Sequence, residues 1–165
     1  MKRIVCDTGP LLHLREADSL DLLHTAGSVT IPPTVYSELV GLDPFWREEK
    51  PTWVNLAALD VSSAKVSLHW IRAGLLDPGE AQALALALQV KADWFLTDDA
   101  AARLVAQQQG LEVHGSVGVI LWGAATGHFL RTETERSLEA LSRSSLWISS
   151  RILEEARTAL RQIFS

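Results

Sequence analysis

The chain reads as an α/β domain with a mainly parallel central sheet, on three observations. Short apolar runs of strand length alternate with helix-forming stretches from Lys2 to Thr126. Two of these runs end on acidic and hydroxyl residues that then open a helix, Cys6-Asp7-Thr8 and Leu96-Thr97-Asp98-Asp99. The 165 residues, 47% hydrophobic and 21% charged, suit one domain able to bury an ordinary core. In such a layered fold, helices flank the sheet and ligands gather beyond the carboxyl ends of its strands.

Lys2 to Cys6 predicts a short buried strand, and Asp7-Thr8-Gly9-Pro10 leads into a helix carrying Leu11, Leu12 and Leu14, with Pro10 suited to its first position. A second helix is expected from Asp18, as cap, to Ala26, with Leu20, Leu22 and Leu23 inward and Gly27 as its stop. Val29 to Ile31 is the next strand. Thr34 to Val40 predicts a short helix with Val35, Tyr36, Leu39 and Val40 on its apolar side, ended by Gly41. Leu42 to Pro51 breaks periodicity with Asp43-Pro44 and four further charges around Trp46, and reads as an exposed functional loop.

A strand is expected within Trp53 to Val61 and helices over Ser62 to Ala73 and Pro78 to Lys91, the second rich in alanine and leucine. Trp94 to Thr97 is a strand, Asp98 to Gln109 a helix ended by Gly110, Leu111 to His114 a strand and Ser116 to Thr126 a helix. From Arg131 the chain reads as a helical hairpin with serine-rich punctuation at Ser142 to Ser145 and Ser149-Ser150. There is no internal repeat and no low-complexity tract.

Cys6 is the only cysteine, which excludes an intramolecular disulfide and a thiolate zinc cluster and suits a reducing cytoplasm. The amino-terminal apolar run is too short for a signal peptide and no window is long enough to span a bilayer, so a cytoplasmic location is expected. A net charge of -5 argues against a protein that coats nucleic acid by neutralising phosphates. It leaves room for a metal nuclease, whose negative charge is concentrated where cations bind.

Four acidic positions stand out: Asp7, Glu38, Glu80 and Asp98, with Asp99 beside the last. Each has an ordinary reading. Asp7 at a strand end is a cap or turn residue, Glu38 a surface glutamate, and one of Asp98 and Asp99 a helix cap. Asp77-Pro78-Gly79-Glu80 matches a capping box, although Gly79 in the first turn costs about 1 kcal/mol relative to Ala and suggests a close approach there. Arg103 lies one turn after Asp99, either as its ion-pair partner or as a phosphate contact. His13, His24, His69, His114 and His128 lack metal-ligand spacing and read as structural or surface residues.

Taken together, Val5-Cys6-Asp7-Thr8-Gly9-Pro10-Leu11, Ile31-Pro32-Pro33-Thr34-Val35-Tyr36-Ser37-Glu38-Leu39, Asp77-Pro78-Gly79-Glu80-Ala81-Gln82-Ala83 and Leu96-Thr97-Asp98-Asp99-Ala100-Ala101-Ala102-Arg103 resemble the PIN-domain superfamily, closest to the uncharacterised prokaryotic branch related to VapC-type toxins. The resemblance covers residues 1 to 130, with 131 to 165 as a helical extension packed on the same domain. It implies a metal-dependent ribonuclease in which Asp7, Glu38, Glu80 and Asp98 hold Mg²⁺ or Mn²⁺, Asp99 assists, and Thr8 and Thr97 orient water. The third acidic position is often Asp in the toxins, and Glu80 after a glycine fits the uncharacterised branch.

An RNA substrate, an antitoxin partner and a homodimer are further expectations from that resemblance. Two other readings stand beside it. One is a catalytically silent module that binds RNA or protein through the Trp46 and Trp53 region. The other is a receiver-like or phosphatase domain, which the absence of lysine from Leu111 to His114 disfavours.

Overall fold

Ile4-Val5-Cys6 lies at the centre of the protein, with the three side chains at most 1% exposed. The computed structural model describes residues 1–165. Strand β1 (Lys2–Cys6) leads to helices α1 (Thr8–Glu16) and α2 (Asp21–Ala26), β2 (Gly27–Ile31), α3 (Pro33–Leu42), α4 (Phe45–Glu48) and β3 (Val54–Leu56). Then follow α5 (Val61–Arg72), α6 (Pro78–Gln89), β4 (Trp94–Leu96), α7 (Ala100–Gln108), β5 (Glu112–His114), α8 (Ser116–Ala125), α9 (Arg131–Ser142) and α10 (Ser150–Ile163).

The five strands form one parallel sheet in the order β3-β2-β1-β4-β5. Ile4 pairs with Val29 on one side and with Trp94 on the other. The chain winds outward from β1 to β2 and β3, then returns to β4 on β1's other side. This reversal opens a crevice beyond the carboxyl ends of β1 and β4. Parallel strands covered on both faces are apolar throughout, as Trp94-Phe95-Leu96 are. Leu138, Leu141, Ala156 and Leu160 of α9 and α10 join the same core as the strands. No helix is long and apolar enough to cross a membrane.

Several local expectations need correction. Helix α1 starts at Thr8 with Asp7 as its cap, so Pro10 is not the first helical residue. Asp18 does not cap α2, which begins at Asp21; it sits in a left-handed turn at φ 54. Gly27 does stop α2, its amide donating to the Leu23 carbonyl, and it also opens β2, where a Cβ would collide with the Lys2 carbonyl of the neighbouring strand. Gly41 lies inside α3, which runs on to Leu42. The segment Leu42 to Pro51 is largely exposed but is not simply a loop: it holds α4, and its Trp46 is 0% exposed. Burial of a large aromatic ring outweighs the local breaking effect of proline and charge. Trp53, the other half of the expected aromatic surface, stacks on His24 at 5.0 Å between ring centres.

Candidate active site

The expected carboxylates converge. Asp7, Glu38, Glu80, Asp98 and Asp99 line one cavity of about 340 Å³, joined by Asp77, Thr8 and His13. Four segments supply them: the β1–α1 turn, the middle of α3, the start of α6 and the β4–α7 turn. Parallel pairing brings the two turns together, because the Asp7 amide donates to the Leu96 carbonyl at 2.9 Å and extends the ladder past Cys6.

Asp7 is 6% exposed. Its carboxylate accepts from the Thr8 amide at 2.7 Å and from the Thr97 hydroxyl at 3.1 Å. Burial, reinforced by the nearby charges of Asp77 and Glu38, outweighs those donors and pushes its pKa from 3.8 up to about 7. Thr97, fully buried, also accepts from the Asp99 amide at 3.1 Å and so ties Asp7 to the following turn. The Thr8 hydroxyl donates to Glu38. Both threonines thus hold carboxylates directly.

Glu80 keeps its ordinary role as well. The Glu80 amide donates to Asp77 Oδ1 at 2.8 Å and the Asp77 amide to Glu80 Oε1 at 3.1 Å, a full capping box. Its other oxygen, Oε2, is buried with no donor. Burial, then contact with the Asp99 and Asp77 carboxylates, raises the Glu80 pKa to about 9. Gly79 explains its place in the first turn: a Cβ there would overlap both Glu38 carboxylate oxygens and lie 2.7 Å from Glu38 Cδ. The missing side chain lets the α3 glutamate press against the start of α6.

The neighbouring aspartates divide their work. Asp99 caps α7 by accepting from the Ala102 amide at 2.9 Å. Asp98, surplus to capping, accepts from the Ser116 amide at 2.7 Å and the Ser116 hydroxyl at 2.6 Å, while His13 Nδ1 lies 2.7 Å from its Oδ2. Arg103 does not pair with Asp99 and forms no ion pair. Its Nη2 lies beside Gly115, at 2.9 Å from where a Cβ would stand, as does Asp98 Oδ1.

His13 and Ser116 are the site residues that sequence reasoning missed. His13 is separated from Asp98 by 85 positions and no spacing rule connects them. Ser116 had a usable signal: it opens a helix directly after β5, and every such turn in a parallel sheet faces the same edge.

No three His, Cys, Asp or Glu side chains are placed, as they stand, to grip one metal ion. The donor set nevertheless fits a hard divalent cation, being carboxylate and hydroxyl oxygen apart from His13, whose Nδ1 is engaged by Asp98. Glu80 Oε2 and the Asp99 carboxylate, both acceptors, need a proton or a cation between them. The raised values of Asp7 and Glu80 describe the protonated form of that choice.

The family model described as "DUF3368: PIN domain" matches residues 3–162, and so takes in α9 and α10 as well as the sheet. No curated protein matches the chain significantly.

Proposed function

Because this chain belongs to the PIN-domain family, a nuclease-type fold whose members commonly use Mg²⁺ or Mn²⁺, we propose that it is a metal-dependent endoribonuclease that hydrolyses RNA phosphodiesters. One observation carries the proposal: six carboxylates from four distant segments line a single cavity, and burial and mutual repulsion hold two of them, Asp7 and Glu80, well above the usual carboxylate range. A fold does not crowd acidic groups at such cost for stability alone.

Asp7, Glu38, Glu80 and Asp98, assisted by Asp99, would hold Mg²⁺ or Mn²⁺, which supplies charge stabilisation for the phosphodiester and for a water nucleophile. The protein's own part is positional. Thr8 and Thr97 fix Glu38 and Asp7, and Ser116 with His13 fixes Asp98. No side-chain nucleophile is called for: Cys6 is buried, and the Ser116 hydroxyl is engaged by Asp98. Water attacks phosphorus and a ribose oxygen leaves. In the form related to VapC-type toxins, an antitoxin protein covering the cavity silences cleavage; a homodimer, read by light scattering, belongs to the same reading.

A catalytically silent module is the second reading, and the lack of three carboxylates already arranged around one point favours it. The test is cleavage of single-stranded RNA by purified protein with Mn²⁺, compared with chelator and with Asp7→Asn. Cleavage that both changes abolish, in a variant that still folds, supports the enzyme. RNA binding without cleavage, indifferent to chelator, supports the module.

A further inference from the structure

Beside the acidic cavity lies a second and larger hollow of about 840 Å³ that the nuclease reading does not use. Asp98 and Leu146 belong to the walls of both. Its far side is the α9–α10 connection, which carries Trp147 at 84% exposure, the most exposed large apolar side chain after Met1. That connection is anchored: the Ser145 amide and hydroxyl donate to the Glu16 carboxylate at 2.8 and 2.5 Å. Leu146 and Ile148, on either side, pack against the core. A tethered segment that half-buries both neighbours and presents an indole to solvent has given up that ring's burial in this state.

We propose that Trp147 is a base-stacking platform for single-stranded RNA, and that the hollow between it and Asp98 carries the nucleotides flanking the bond to be cut. This deepens the nuclease reading and depends on it for the word "cut". Two features favour RNA over a protein segment. Arg103, without an ion-pair partner, lines the hollow between Trp147 and the acidic cavity. Gln107 and His114 add polar groups, and Asp98 is the only carboxylate in the wall. An aromatic plane beside an unpaired guanidinium is the pairing that unpaired bases and their phosphates require.

The experiment measures binding of a fluorescent oligouridine to the full chain in chelator, and cleavage of the same RNA with Mn²⁺. Trp147→Ala is expected to weaken binding by roughly tenfold or more and Trp147→Phe by much less, because stacking needs a ring rather than an indole. RNA is expected to quench wild-type tryptophan emission, and this quenching is expected to largely disappear in Trp147→Ala. With Mn²⁺ the alanine variant raises KM and leaves kcat unchanged. Leu75→Ala, exposed on the chain outside both cavities, serves as the control at wild-type affinity.

Wild-type affinity and KM in Trp147→Ala overturn the platform while Mn²⁺ cleavage still supports the nuclease; the hollow is then a protein-docking surface or unused. Trp147-dependent binding with no cleavage overturns the nuclease and keeps the platform as an RNA-binding surface. A loss in Leu75→Ala equal to that in Trp147→Ala also overturns the platform.

Discussion

Gly79→Ala separates stability from activity. The new methyl group would overlap the Glu38 carboxylate, which is the far end of a flexible side chain rather than backbone. The fold therefore yields by swinging Glu38 away from the start of α6 and from the Thr8 hydroxyl that donates to it. Losing that hydrogen bond costs about 1 kcal/mol, and alanine in place of a helical glycine returns about 1 kcal/mol. The two nearly cancel, so the melting temperature moves by less than about 4 °C in a domain of this size. Activity does not cancel, because displacing one carboxylate by an ångström or more is expected to cost about 10²-fold in cleavage rate. Differential scanning fluorimetry and Mn²⁺-dependent RNA cleavage read the two quantities. In a Glu38→Ala background, Gly79→Ala should have no further effect on rate, since the group it displaces is gone. Wild-type cleavage by Gly79→Ala refutes the reasoning, and so does destabilisation beyond about 3 kcal/mol, which would mean that backbone and not Glu38 gave way.

The raised pKa values of Asp7, from 3.8 to about 7, and Glu80, from 4.5 to about 9, fix a sign. Both groups hold their protons more tightly folded than unfolded, so their contribution is full below about pH 4 and falls as pH rises through about 7 and then about 9. Metal-free protein should lose melting temperature between about pH 5 and pH 9, and Asp7→Asn should lessen that loss below about pH 7 in a thermal scan; an unchanged slope in the variant overturns the assignment. Mn²⁺ should raise the melting temperature near pH 8 and little near pH 5, where it must displace protons. Trp46→Ala removes a fully buried ring and should destabilise by about 3 to 5 kcal/mol in denaturant unfolding, whereas an exposed loop tryptophan would cost almost nothing.

The sheet was legible because its evidence is local. Each strand is a short apolar run, and Asp77-Pro78-Gly79-Glu80 carries its capping box in four consecutive letters, which the structure forms as read. The site was legible in part for a related reason: turns after parallel strands share one edge, which puts Asp7 and Asp98 on the same rim, while their meeting in one pocket followed from the PIN-domain resemblance and from the β1–β4 pairing that the structure shows. Asp7 shows that ordinary and functional readings do not compete, since it caps α1 and lines the cavity at once. What stayed hidden depends on distant packing. Trp46 sits among residues that signal a loop, and only the core it enters decides its fate. His13 reaches Asp98 across 85 positions because α1 packs beside the β4–α7 turn, a fact carried by three-dimensional proximity and by no local pattern.

Cys6 gives the centre of the sheet a chemical reporter. The thiol is the chain's sole sulfhydryl, fully enclosed on β1 one residue before Asp7, and burial pushes its ionisation well up, so little thiolate exists to react. Alkylating reagents can therefore modify it only when β1 separates from its neighbours, and the labelling rate counts those openings directly. One mass-spectrometric time course would compare how often the innermost strand comes loose with the acidic pocket empty and with it charged by Mn²⁺.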